Sequence, residues 1–356
     1  MSKTLSAFRF REKGKDTRST TKIRIRRARE RGLLIDSGTE SVYSAGTMKI
    51  HINPGIRRML CLVSAMILGG SVPVLWRASG TFFDNYAGNF VPLMIMVMLL
   101  FSFIDVNFSK KSTGWSHVRI PVFMVALATG AYFLVKKLTG DENFAIMAFL
   151  IGMTPTANAA PVITHLLGRR EDYVTVSVVS TNLFTAFALA PLVALVIGNA
   201  IQIDTFALAW KTILLIGIPF VLSVLFRNFV PAAAQFIRRW KFLSFYLWMV
   251  MLFTVCAQSA AYIVRQENLS LMILAEIFAL SAILCAVNFA AGYQLGEPHF
   301  RRECSQSVGQ KNTMLMLWVG LAFFNPIVAL GPTFYVVCHN LWNSWQLRAA
   351  GKKAEN

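Results

Sequence analysis

Residues 303–313 read Glu-Cys-Ser-Gln-Ser-Val-Gly-Gln-Lys-Asn-Thr and run directly into the apolar stretch 314–324. Most of these side chains are polar or charged, which makes a poor lipid-facing surface. A lysine this deep in a hydrophobic segment faces protein or a water-filled cavity, and is a functional candidate by default. Glu303, Ser307 and Lys311 lie four apart and form one helical stripe, with Gln306, Gln310 and Thr313 beside it. Gly309 sits among them, where a helix can loosen. The chemistry on offer is the holding of a charge, a cation by oxygens or an anion by the ammonium. The bland alternative is a buried lysine satisfied by neighbouring carbonyls.

A second stretch of this kind is Thr154-Pro155-Thr156-Ala157-Asn158-Ala159-Ala160-Pro161. Two prolines remove backbone donors and break a helix in mid-segment. The freed backbone groups must line protein or a cavity, never lipid. Just beyond, Ser177, Thr181 and Thr185 share one helical face, with Ser180 and Asn182 close by. Such residues serve either a site or plain interhelical hydrogen bonding.

The elements that position these stretches are membrane spans. The chain has 356 residues, 55% hydrophobic and 15% charged, where a soluble protein carries about a quarter charged residues. Ten apolar segments are each long enough to cross a bilayer, at 57–77, 87–108, 118–137, 143–168, 173–199, 206–226, 242–264, 269–294, 302–324 and 326–347. The proline-broken stretch and the lysine stretch fall in the fourth segment of each half. Interrupted segments at corresponding positions point to a transporter's binding site, and an odd number of spans per half makes the repeat inverted. The fold expected is therefore an all-α membrane protein, with ten transmembrane helices in two inverted five-helix repeats.

The formal charge of +18 suggests nucleic acid until its distribution is followed. Lys110, Lys111, Arg119, Arg169, Arg170, Arg227, Arg238, Arg239, Lys241, Arg301, Arg302, Arg348, Lys352 and Lys353 fall on one side. The other side holds Arg77, Lys136, Lys137 and Arg265. This is the positive-inside pattern, so both termini are expected in the cytoplasm and no nucleic-acid partner is expected. Residues 1–47 are basic and lack apolar periodicity, with a cluster at Arg24, Arg26, Arg27, Arg29 and Arg31. They read as a disordered region outside the ten-helix body at 48–347, with 348–356 as a cytoplasmic tail. Met48 is a second candidate start. The cysteines (Cys61, Cys256, Cys285, Cys304, Cys338) have no metal-ligand spacing and read as apolar packing residues. The five histidines likewise lack such spacing, and no HExxH pattern occurs, so neither a metal, a cofactor nor catalysis is expected.

Two stretches resemble the bile acid:sodium symporter family. One is residues 152–167 followed by Ser177-Val-Val-Ser-Thr181. The other is Ser307-Val-Gly-Gln-Lys-Asn-Thr313, followed by Cys338-His339-Asn340. The resemblance covers about residues 50–347. It implies a core domain (spans 3–5 and 8–10), with the fourth and ninth helices broken and crossing, and a panel domain (spans 1, 2, 6 and 7). It also implies secondary transport of an organic anion, such as a bile-acid-like, keto-acid or pantothenate-like carboxylate, by alternating access; the expected location is the plasma (inner) membrane.

The departures are informative. The family's sodium sites use a glutamate and a glutamine four residues apart in span nine, and Ser307 and Lys311 stand there in this chain. A family Ser-Asn pair after the span-four break becomes Ala160 and Pro161, while Ser177 and Thr181 match family sodium ligands. Two hydroxyls alone do not make a hard-cation site. A sodium ion about 4 Å from the ammonium would be repelled by roughly 4 kcal/mol at an intermediate dielectric. The expectation is that Lys311 replaces the sodium ion, with protons as a candidate partner. The alternatives are sodium-coupled symport and, in another class, a transport-inactive receptor or scaffold. The expected substrate and ion site comprises Thr154, Thr156, Asn158, Ser177, Thr181, Ser307, Gln310, Lys311, Asn312 and His339.

Overall fold

The computed structural model describes residues 54–76, 79–104, 112–198, 202–265 and 270–355. The basic region 1–47, Met48, Arg77, Asp105, Lys110 and Lys111 lie outside the described residues. Every named element among the described residues is a helix. In chain order these are α1 (Pro54–Leu75), α2 (Ser79–Phe103), α3 (Ser116–Thr139), α4 (Glu142–Met153), α5 (Ala160–Leu166), α6 (Glu171–Val196) and α7 (Thr205–Phe229). There follow α8 (Pro231–Arg239), α9 (Leu243–Arg265), α10 (Leu271–Leu295), α11 (Arg301–Gly309), α12 (Thr313–Phe323) and α13 (Pro326–Glu355).

By length and composition, α3, α6, α7 and α10 are each able to cross a membrane, and α8 with the first part of α9 forms a bent pair at 60° that passes together. Large apolar side chains stand exposed on these helices, among them Val122, Phe133, Leu195, Phe206 and Ile283. A lipid phase covers such surface without cost, whereas water does not. The protein is thus an all-helical integral membrane protein.

Local sequence sets the helix ends. Asp141 caps α4 by accepting from the N–H groups of Asn143 (2.7 Å) and Phe144 (3.4 Å), and Asp204 caps α7 through Ala207 N–H. Two features differ from the sequence reading. Residues 231–239 form a separate helix, α8, started by Pro231 at its first turn. The residues read as a tail are helical, because α13 continues unbroken to Glu355; nothing in Ala349-Ala350-Gly351-Lys352-Lys353 is strong enough to stop it.

Packing groups the helices. α9 packs along α1 and α2, and α2 along α7; α4 lies against α3 and α13, and α11 against α10 and α6. The α3–α4 approach is close: a Cβ on Gly152 would come within 2.5 Å of the Ala128 backbone. The main core contains α4 from Phe144 to Met153 and α12 from Met314 to Val319. Both halves of the site therefore emerge from the most enclosed helices of the molecule.

Candidate functional site

Segment 143–168 is divided into α4 and α5, and segment 302–324 into α11 and α12. The first break covers 154–159, the second 310–312. In the first, Pro155 forces the residue before it out of the helical region, and Thr154 is extended at φ −63°, ψ 125°. Pro161 then sits in the opening turn of α5, where its missing donor is harmless. The second break contains no proline. Gly309 ends α11 with the Phe289 ring so close that a Cβ would fall within 2.3 Å of it. The glycine is required there by that approach rather than by a left-handed backbone.

The two breaks meet as an isolated antiparallel bridge between Thr156 and Lys311. Ala157 N–H donates to the Gln310 carbonyl (2.8 Å), and Asn312 N–H to the Pro155 carbonyl (2.7 Å). Such a site is buried, so each backbone polar group needs a partner. The carbonyls can be followed one by one. Leu150 accepts from Thr154 Oγ1 (2.7 Å) and Ile151 from Thr154 N–H (3.3 Å). Gly152 and Thr154 accept from Lys311 Nζ at 3.4 and 2.9 Å. Met153 accepts from Thr185 Oγ1 (3.4 Å) and Thr156 from Asn182 Nδ2 (3.2 Å). Ala157 accepts from Ala160 N–H (3.1 Å). On the donor side, Thr156 N–H is received by Thr181 Oγ1 (2.9 Å), and Thr156 Oγ1 donates to the Ser307 carbonyl (2.7 Å).

Lys311 is 2% exposed. Its ammonium rests at the C-terminal end of α4, where aligned peptide dipoles place partial negative charge. The lysine side chain thus joins the two breaks. Glu303, also buried, accepts from Arg170 N–H (3.3 Å), and no ion pair links it to Lys311 among the described residues.

The expected site residues do not all converge. Thr154, Thr156, Thr181, Gln310, Lys311 and Asn312 form the joint. Ser307 joins it through its carbonyl, its hydroxyl being turned to Glu303 O (3.0 Å). The Ser177 hydroxyl is turned to Tyr173 O (3.4 Å). Asn158 lies at the edge, half-buried, with Nδ2 at 3.5 Å from the Met98 carbonyl of α2. His339 makes no bond to the joint; its ring meets Tyr335 edge-on at 5.7 Å. Asn182 and Tyr335 were not assigned to the site from sequence. Asn182 bonds Val178 O and Thr156 O and receives Asn312 Nδ2 at 3.3 Å. Tyr335 O–H donates to Gly309 O at 2.8 Å. The signal for Asn182 was its place beside Thr181; for Tyr335 it was only its spacing of four from His339.

Three consequences follow. The joint residues other than Asn158 are almost wholly buried, so they form a packed joint and not the lining of an open cavity. The oxygens a sodium ion would need are taken, two carbonyls by the ammonium and the Thr181 hydroxyl by Thr156 N–H; this arrangement does not fit a sodium ion. An open cavity of about 770 Å³ lies next to the first break, lined by Pro161 and Val162 of α5, Glu171, Asp172 and Thr175 of α6, and Arg227, Arg238 and Lys241 on the α7–α9 side.

At the same end of the molecule, loops are clasped together. Glu297 accepts from Ser116 N–H (2.8 Å) and Ser116 Oγ (2.6 Å), and Ser116 Oγ also bonds Tyr173. Burial works against the Glu297 charge, but the Ser116 bonds and Arg119 hold its carboxyl below the usual carboxylate range. Arg170 pairs with Asp172 at 2.7 Å.

In comparison with known proteins, residues 115–266 match the Sodium Bile acid symporter family. No curated protein matches the chain. The matched residues hold the first break, Thr181, Asn182 and the cavity-lining part of α7–α8, while the lysine stretch lies beyond them. The match over residues 115–266, together with the apolar helices around it, supports a transmembrane transporter of the bile acid:sodium symporter family.

Proposed function

We propose that this protein is a secondary transporter of a small organic anion, working by alternating access, in which the Lys311 ammonium replaces a coupling sodium ion. The observation that carries this reading is the ammonium at 2.9 Å from Thr154 O and 3.4 Å from Gly152 O. It neutralises the dipole end of α4 that a bound cation would otherwise neutralise. Support for an anion comes from Arg227, Arg238 and Lys241 around the open cavity; they outnumber its carboxylates, Glu171 and Asp172, of which Asp172 is paired with Arg170. A bile-acid-like, keto-acid or pantothenate-like carboxylate would enter there and reach the joint at Asn158, which touches both the first break and α2.

In this reading the ten apolar segments are ten spans in two inverted repeats. Spans 3–5 and 8–10 form a core, and spans 1, 2, 6 and 7 a panel. The packing of α9 with α1 and α2, and of α2 with α7, supports the panel. Both termini lie in the cytoplasm of a plasma or inner membrane, with residues 1–47 outside the ten-helix body.

The test is uptake into vesicles holding the purified full chain, with labelled taurocholate, pyruvate and pantothenate offered in sodium and in choline. Uptake of at least one carboxylate, equal in the two salts, is expected. Pairing Lys311→Gln with Ser307→Glu is expected to introduce sodium dependence. Parent uptake that rises saturably with sodium would refute the tethered cation and favour symport. Folded protein that moves none of the three favours a receptor or scaffold.

A further inference from the structure

The bonds that close the joint leave one polar face of α13 unexplained. Tyr335, His339, Asn343 and Gln346 follow at spacings of four, four and three and share that face. Its two ends are fastened to α11. Tyr335 O–H donates to Gly309 O at 2.8 Å. Gln346 Oε1 accepts from Gln306 Nε2, and Gln306 Oε1 accepts from Gln310 Nε2. Between the fastened ends, His339 and Asn343 are each 4% exposed, and His339 Nδ1 and Asn343 Oδ1 have no protein partner. Asn288 of α10, fully buried and beside Tyr335, bonds Leu284 O through Nδ2, while its Oδ1 also has no protein partner.

Buried polar atoms are almost always hydrogen-bonded, to protein or to water. Three exceptions on two packed helices, along a face bounded by amides, describe a place for ordered water rather than three separate faults. The face also has a direction. At one end Tyr335 bonds the last carbonyl of α11, that of Gly309, two residues before Lys311. At the other end Gln306 and Gln346 approach the basic loop end of α11 and α13. Four, four and three residues of helix span about 16 Å along α13, leading from Tyr335 toward Arg348.

We infer that the Tyr335–His339–Asn343–Gln346 face is a water-bearing seam that exchanges protons between the Lys311 ammonium and the basic end of the molecule, with His339 as the relaying group. The inference rests on the reading of Lys311 as the tethered cation. In the step proposed, the ammonium gives a proton to a seam water, and that water protonates His339 Nδ1. His339 releases its Nε2 proton to water on the Asn343 side. Lys311 is left neutral, one proton reaches the aqueous phase, and the imidazole ends as its other neutral tautomer, reset by the reverse transfer. The titratable groups nearest this path are Cys285 on α10, Tyr335 and Cys338 on α13, and Glu303 on α11.

The test uses the full chain in lipid bilayers, labelled with nitrogen-15 at lysine Nζ and in histidine rings, and solid-state magnetic resonance that follows polarisation passing from water. The Lys311 and His339 signals are identified by their loss in Lys311→Gln and His339→Gln. In the parent, both sites are expected to take up polarisation as fast as exposed side chains do. His339→Leu and, independently, Asn343→Leu are each expected to slow transfer to Lys311 Nζ at least tenfold; His339→Gln, which keeps the seam wet, should slow it less. A parent Lys311 that receives no water polarisation overturns the inference, as does equal transfer in both leucine variants with the remaining signals unchanged. Transport is not read here, so a sodium-dependent parent in the uptake assay refutes the proposed function without this result, and the reverse holds.

Discussion

The two helix breaks are made in different ways. The first is favoured by the covalent chain: Pro155 cannot donate and disfavours a helical Thr154, and Pro161 restarts the helix, although Pro191 and Pro219 are carried within unbroken helices. The second, 310–312, has no such compulsion. Its backbone is drawn out by partners: Asn312 N–H goes to Pro155 O, Gln310 O to Ala157 N–H, and the Lys311 side chain to two carbonyls across the joint. The first break supplies mostly acceptors; the second supplies the charge. A proline break is cheap to form but leaves several carbonyls bare, and a lysine opposite satisfies two of them at once.

If this contrast is right, the largest loss should come from the charge. Lys311→Met keeps the volume but leaves Gly152 O and Thr154 O buried without a donor, at a cost of about 3 kcal/mol. A clear fall in the unfolding midpoint of purified protein in detergent is expected, and an unchanged midpoint would mean the breaks hold themselves. A smaller loss is expected from Thr181→Val, which is nearly isosteric and removes the acceptor for Thr156 N–H together with a donor to Ser177 O within the same helix, about 2 kcal/mol. Thr181→Ser keeps that acceptor, so it should lose less than half as much in the same assay; equal losses would point to the methyl group instead.

The smallest effect tests the loop clasp against the joint. Glu297 is held below its usual value of 4.5, so its contribution is fully present above that pH and fades as pH falls through the lower folded value. Glu297→Gln is expected to cost about 1 kcal/mol at neutral pH, given its partial exposure. The difference from the parent should shrink in acid below pH 4.5. A constant difference from pH 7 to pH 3 would show that the carboxylate charge is not what clasps the loops.

The sequence was enough for much of this. Hydropathy placed the apolar segments, because a bilayer demands long apolar runs. Pro155 and Pro161 located the first break, since proline acts on its own backbone. Lys311 stood out because an ammonium in an apolar span must find partners. What the sequence left open was where side chains point. Ser177 shares a helical face with Thr181, yet its hydroxyl turns back to its own helix, a choice fixed by rotamer and neighbours. Asn182, left open between a site and interhelical bonding, bridges both breaks because α6 passes beside the joint. His339 lies on another face altogether. The continuation of α13 to Glu355 and the separate α8 were also beyond periodicity. Local residue chemistry determined which backbone groups would be freed, and only the tertiary structure decided which groups would meet them, because those partners come from helices far apart in the chain.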